Sequence, residues 1–318
     1  MITGPIPDFF GTYTSLESLV VTDNKFSGTV PASIGLLSQL TSLDLSKNNI
    51  EALPSTIGLL SLLTSIDLSE NNFETLPSNI GLLSRLTTMD LTENNIGALP
   101  EGFFSNLTSL ETFDISYNSL IVIGDDISNC PALTTMQLSY NKLAQLPATL
   151  GTLNALEYLY VRQNELSGAA LSTLGDLPRL KVLDLSANLL TSIPNEWASL
   201  PSIEQIIMQQ NQLNTAFPLF LKVLNSLSVL DLSNNNLNQA LPDMNVGDFA
   251  GLVILNLTYN DFTATISDLS ALDTLQYLSL NGNALTGKIP PTLGDVASLY
   301  SLSLVRPSSQ PKLCTTCE

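Results

Sequence analysis

Apolar positions recur along this chain in a fixed frame. LTSLDLSKNNI at Leu40–Ile50 returns as LTSIDLSENNF at Leu63–Phe73 and LTTMDLTENNI at Leu86–Ile96. The shared pattern is LxxLxLxxNxL. Its asparagine marks each copy: Asn24, Asn48, Asn71, Asn94, Asn118, Asn141, Asn164, Asn188, Asn211, Asn235, Asn260 and Asn283, at steps of 23 to 25 residues. So steady a period predicts a stacked repeat architecture, with one core running the length of the stack. In each copy the alternation around LxL predicts a short strand, with Leu43 and Leu45 facing inward and Ser42, Asp44 and Ser46 facing outward. Strands one repeat apart can pair only in parallel, because a crossover returns the chain between them.

That crossover reads LPSTIGLLSL at Leu53–Leu62. Pro54 ends the strand. Ile57, Leu60 and Leu63 supply further inward positions, and Gly58 is expected to serve a tight turn. The segment is too short for a full helix, so extended backbone or a 3₁₀ turn is expected there. The asparagine has a physical role of its own. A buried primary amide both donates and accepts, and can satisfy loop backbone groups of adjacent coils. Two stretches depart from the frame. The apolar-rich NTAFPLFLKVLNS after Asn211 predicts a true helical turn, and IVIGDD at Ile121–Asp126 replaces the proline motif.

The residues carrying this pattern resemble the leucine-rich repeat family over nearly all of Leu16–Leu304. SGTVPASIG at Ser27–Gly35 and TGKIPPTLG at Thr286–Gly294 are similar to the GxIPxxLG signature of plant-type extracellular repeats. EALPSTIG at Glu51–Gly58 and ETLPSNIG at Glu74–Gly81 resemble the shorter LPxxIG class, which also occurs in intracellular Ras-associated proteins. The resemblance implies an α/β-type repeat solenoid. It is a horseshoe with a parallel concave sheet of about twelve strands and irregular or 3₁₀ convex segments. Residues 1–15 read as a partial repeat, 16–304 as the solenoid, and 305–318 as a tail or cap remnant. Met1 leads directly into ITGPIP, the middle of a repeat, so an earlier part of the chain is expected to be missing.

Composition narrows the partners. The net charge is −18, which opposes nucleic acid and anionic membrane surfaces, since both demand basic patches. No apolar run reaches the roughly 18 residues of a membrane span. With no histidine in the chain, Ser–His–Asp and Cys–His catalysis are excluded, and no phosphate-cradling glycine loop occurs. The expectation is a protein without catalytic activity or cofactor. Cys130 stands where other repeats carry Leu60, Leu83, Leu107, Leu153 and Leu177, and reads as a small buried hydrophobe. Cys314 and Cys317 form a lone CxxC. A zinc site wants four Cys or His ligands, so a disulfide and an oxidising compartment are the expectation.

One constellation suggests chemistry. Asp44, Asp67, Asp90 and Asp114 hold the same strand position in four successive repeats, about 4.8 Å apart across parallel strands. That spacing is near the roughly 5 Å of a retaining glycosidase pair, and oxygens so placed also suit Ca²⁺. The plainer reading is that Ser46, Ser69 and Thr92 satisfy these carboxylates by hydrogen bonds.

The informative residues are those where the outward face leaves its Ser/Thr/Asp default. LEYLYVRQN presents Tyr158, Tyr160, Arg162 and Gln163, and IEQIIMQQN presents Gln205, Ile207, Gln209 and Gln210. Tyr117 and Tyr140 lie at the strand exits of the two repeats before LEYLYVRQN. Aromatics and arginine dominate binding hot spots, so these ten residues form the candidate ligand-binding surface. Tyr259, Tyr277 and Tyr300 form a second, weaker group. Two sequons, Asn106-Leu-Thr and Asn256-Leu-Thr, fall on a convex segment and a strand. The partner implied is a protein or peptide, with cell-wall carbohydrate as an alternative. Resemblance to receptor ectodomains implies an extracellular or cell-surface setting, and the alternative is a cytoplasmic Ras-associated-type scaffold. Threonine rows such as Thr41, Thr64 and Thr87 would serve ice binding only on a flat sheet, which the expected curvature opposes.

Overall fold

The computed structural model describes residues 1–305; the expectation for Cys314 and Cys317 lies outside them. The chain divides into two compact units, Met1–Leu189 with Pro194–Ile203, and Leu190–Ile193 with the chain from Glu204 on. Each is a solenoid of parallel strands returned by 3₁₀ turns. In the first unit eight strands pair in sequence order, from Ser18–Val20 through Tyr158–Tyr160 to Val182–Asp184. In the second, Gln205–Ile207, Val229–Asp231, Ile254–Asn256, Tyr277–Ser279 and Ser301–Ser303 do the same.

Each strand of the main ladders is only three residues long because its outward residues alternate with one buried leucine-type position. Leu43, Ile66, Met89 and Phe113 sit fully inside, and so do Leu45, Leu68, Leu91 and Ile115 two residues further on. Ser46 departs from expectation. It is buried, as are Ser116, Ser186 and Ser233, because its hydroxyl folds back onto the Asp44 carboxylate at 2.7 Å.

The return segments are 3₁₀ turns, as at Ser55–Leu59 and Ser78–Leu82. Pro54 and Pro77 precede them with φ of −75° and −70°, values the ring enforces. The Asp125–Asn129 turn opens on Gly124 at nearly the same φ and ψ, so the proline motif is replaced without loss of the coil. The helical turn expected after Asn211 is instead the same five-residue 3₁₀ turn, Leu219–Val223. Its apolar surplus goes partly inward, with Phe217 and Leu221 buried and Val223 exposed. Gly58 is required for closeness rather than for a turn. A Cβ there would stand 2.4 Å from the Asn79 carbonyl oxygen of the next coil, and Gly35 meets the Thr56 carbonyl at 2.6 Å in the same way.

Ten of the twelve asparagines are buried, and Asn24 and Asn118 are half-buried. Asn141 Nδ2 donates to the Ile115, Leu138 and Ser139 carbonyls at 2.9, 3.1 and 3.4 Å, and its Oδ1 accepts from Leu120 N at 2.8 Å. Asn235 repeats the arrangement in the second unit. Just before the asparagine the backbone turns out of the strand through the left-handed region. Lys47, Glu70, Glu93, Tyr117, Tyr140 and Gln163 all have φ between 51° and 58°. Such a conformation costs about 1 kcal/mol or more in a residue with a Cβ. It persists here because the ladder on either side leaves the backbone no alternative.

Cys130 is fully buried, its sulfur facing the Phe104 carbonyl, and burial pushes its thiol up to about 12. No helix among the described residues is long and apolar enough to cross a membrane.

Candidate functional site

The outward strand positions carry two rows. One is formed by Ser42, Ser65, Thr88, Thr112, Thr135 and Tyr158, the other by Asp44, Asp67, Asp90, Asp114, Gln137 and Tyr160, each matched in register with the next. The aspartates are held as hydrogen-bond acceptors. Asp67 Oδ1 takes Ser69 N at 2.9 Å and Ser69 Oγ at 2.7 Å, and Asp114 takes the backbone and hydroxyl of Ser116. Thr92 contributes its backbone N–H to Asp90 at 2.9 Å. Partial burial raises the Asp67 carboxyl above the usual range, against the pull of Ser69, and the flanking Asp90 and Asp44 add to it. Among the described residues no group of three or more His, Cys, Asp or Glu is placed to hold a metal.

The row changes character at Tyr158 and Tyr160. Both are half-buried, and burial holds the Tyr160 hydroxyl above its ordinary range. The Lys181 ammonium lies 5.9 Å from the Tyr158 ring centroid, within cation–π range, while pairing with Glu157 at 2.7 Å.

At the strand exits an ordered aromatic and guanidinium group appears. Tyr117 and Tyr140 occupy left-handed positions of successive coils, so their side chains leave the backbone in the same direction one coil apart. Their rings stack at 4.2 Å with an interplanar angle of 9°. Tyr140 Oη accepts a hydrogen bond from Arg162 Nε at 3.3 Å, and Arg162 Nη1 donates to Ser186 Oγ at 3.2 Å. The guanidinium favours a negative oxygen beside it and draws the Tyr140 hydroxyl below its ordinary value; the neighbouring Tyr140 hydroxyl holds Tyr117 up. Tyr117 is 49% exposed. This arrangement offers a wet aromatic surface beside a fork-shaped cation whose remaining N–H groups are directional donors.

Of the ten residues expected at the site, the first unit brings Tyr117, Tyr140 and Arg162 into contact. It sets Tyr158 and Tyr160 at the two ends of the strand that precedes Arg162, with Gln163 exposed just after it. Gln205, Ile207, Gln209 and Gln210 belong to the second unit. Gln205, Ile207 and Gln209 are half-buried there, and Gln210 is exposed in the left-handed position. Gln209 Oε1 is buried without a hydrogen-bond partner. Ser186 and Lys181 are the contributors sequence reasoning missed. The signal was their register, Ser186 one repeat after Arg162 and Lys181 one repeat after Glu157, the residue before Tyr158. In the weaker group Tyr277 and Tyr300 lie 5.6 Å apart and Tyr259 is exposed. Of the sequons, Asn106 is exposed, while Asn256 is half-buried and donates to Asp231 Oδ2 at 3.0 Å.

Leucine-rich repeat family profiles match residues 14–77, 84–143 and 154–213, and a second such profile matches 226–245 and 274–296. A search among curated proteins by sequence finds no match. Solved structures do match. A leucine-rich repeat protein of Leptospira interrogans aligns with 26% identity and a TM-score of 0.80, over 94% of this chain and 81% of that one. The plant peptide hormone receptor RGFR1, solved in complex with RGF2, aligns with 29% identity and a TM-score of 0.76, over 95% of this chain and 53% of that one. The leucine-rich repeat ectodomain of the Arabidopsis receptor kinase HAESA, solved with a peptide hormone ligand, aligns with 29% identity and a TM-score of 0.64, over 95% and 59%. The chain therefore spans little more than half the length of these receptor chains.

Proposed function

The chain belongs to the leucine-rich repeat family, and from that premise we propose that it is a non-catalytic recognition module binding a protein or peptide on the strand face of its first unit. The observation that carries the proposal is the Tyr117–Tyr140–Arg162 group. Stacked tyrosines present rigid area at low entropic cost, and Arg162 adds directional donors, the mixture that dominates interface energetics. Solved relatives that bind peptide hormones support a polypeptide partner, and their ectodomain character supports an extracellular or cell-surface setting. Residues 16–304 form the recognition module under this reading. Arg162 stands out because the chain is so acidic: its guanidinium offers an oxygen-rich group of the partner a favourable site on a surface of net charge −18.

Photo-crosslinking tests it. A photoreactive residue at exposed Tyr117 captures the partner from extracellular fluid of the source organism, and the same probe at Asp44 captures it less or not at all. Equal capture at both positions, or capture at Asp44 alone, contradicts the proposal.

A further inference from the structure

On the flank of the second unit, where the chain leaves the asparagines toward the 3₁₀ turns, lies an open cavity of about 670 Å³. That is within the roughly 300–1,000 Å³ of ligand pockets. Its lining is Thr191, Ser192, Gln212, Asn214, Thr215 and Asn236, every one neutral and every one polar. Matching positions of the first unit are mixed: Glu51 and Glu74 three residues after their asparagines and Lys142 and Glu165 one residue after are charged, whereas Asn49, Asn72, Asn95 and Ser119 are neutral. The cavity walls are backbone that is already satisfied. Gln212 N donates to Leu190 O at 2.9 Å, Asn214 N to Thr191 O at 3.2 Å, and Asn236 N to Leu213 O at 2.9 Å. The side chains stand open to solvent, five of the six residues being exposed and Asn236 half-buried. Asn214 Oδ1 accepts from Asn238 Nδ2 at 2.6 Å. Among the described residues the Gln212 and Asn236 amides and the Thr191 and Ser192 hydroxyls have no protein partner.

We propose that this cavity binds a neutral carbohydrate. Carboxamides and hydroxyls both donate and accept, as sugar hydroxyls do, so each can pair with a polyol in either sense. An anion finds no cation in the lining and meets a chain of net charge −18; a cation finds no carboxylate. A peptide would want pockets built from apolar side chains, and no apolar residue lines the cavity. The site lies on a different unit from the Tyr117–Tyr140–Arg162 group and stands or falls independently of it.

The test is saturation-transfer NMR and calorimetry of the whole chain with cellohexaose, laminarihexaose and mannohexaose. Polygalacturonate and an uncharged Gly/Ser/Asn peptide serve as controls. At least one neutral hexaose is expected to bind, and Gln212→Ala with Asn236→Ala is expected to weaken it about tenfold, the loss of two net hydrogen bonds. Thr191→Val checks the result should the double variant lose its cooperative melt. Four results overturn the proposal: no neutral hexaose binding tighter than about 10 mM, affinity unchanged in folded variants, tighter binding of polygalacturonate, or binding of the peptide alone.

Discussion

Replacing Asn141 by alanine isolates the asparagine ladder. The side chain makes four hydrogen bonds, but they are not equally replaceable. The Leu138 carbonyl keeps Asn164 Nδ2 at 2.9 Å, the Ile115 carbonyl keeps Asn118 Nδ2 at 3.2 Å, and the Ser139 carbonyl keeps Tyr117 N at 2.9 Å. Each of those acceptors therefore retains a donor from a neighbouring coil. Leu120 N–H does not, because Asn141 Oδ1 is its acceptor and the residue is buried. One orphaned buried donor costs about 1–3 kcal/mol, and the small space left adds to the upper end. We expect a loss of about 2 kcal/mol in urea unfolding. Asn95→Ala, at an exposed asparagine one residue past the ladder, should stay within about 0.5 kcal/mol of wild type. Asn141→Ala indistinguishable from Asn95→Ala would refute the ladder as a source of stability.

Three further predictions follow from named contacts. Gly58→Ala drives a Cβ into the Asn79 carbonyl, so unfolding measurements should show a loss of about 1–3 kcal/mol; an unchanged midpoint would mean the coils are not packed this closely. Cys130, its thiol pushed up to about 12 by burial, should resist labelling in native protein at pH 8 and react once the chain is unfolded. In a spectrophotometric titration Tyr140 should ionise earlier than an ordinary tyrosine, because a depressed value favours phenolate as pH rises. Arg162→Ala should move that step back up, and no movement would mean that the guanidinium does not hold the hydroxyl.

Much of the fold was legible because the sequence states it a dozen times. The leucine frame, the asparagines and the prolines each report a local requirement that recurs, and Leu43, Asn48 and Pro54 sit as their types demand. What escaped was what a linear pattern does not encode. Ser46 alternates as an outward residue yet is buried by its bond to Asp44. Gly58 reads as a turn glycine, but its necessity comes from the coil after it. The left-handed residue before each asparagine has no residue signature, since Lys47, Glu93, Tyr117 and Gln163 share no chemistry. For the proposed site, departure from the Ser/Thr/Asp default singled out Arg162, and position at the strand exits singled out Tyr117 and Tyr140. Their stacking and hydrogen bonding depended on the direction of side chains at left-handed positions, which spacing does not show. The polar cavity near Asn214 was invisible, because threonine, serine and amides in a loop look like any solvated surface.

The central claim is that recognition runs through the aromatic and guanidinium group rather than the carboxylate row. The direct measurement is the dissociation constant of the captured partner for four variants: Tyr140→Ala, Arg162→Ala, Asp44→Ala and Asp67→Ala. The account predicts a weakening of about 1–3 kcal/mol, five- to 150-fold, for the first two and near-neutral values for the aspartates. Loss of binding in the aspartate variants, with the tyrosine and arginine variants intact, would contradict it.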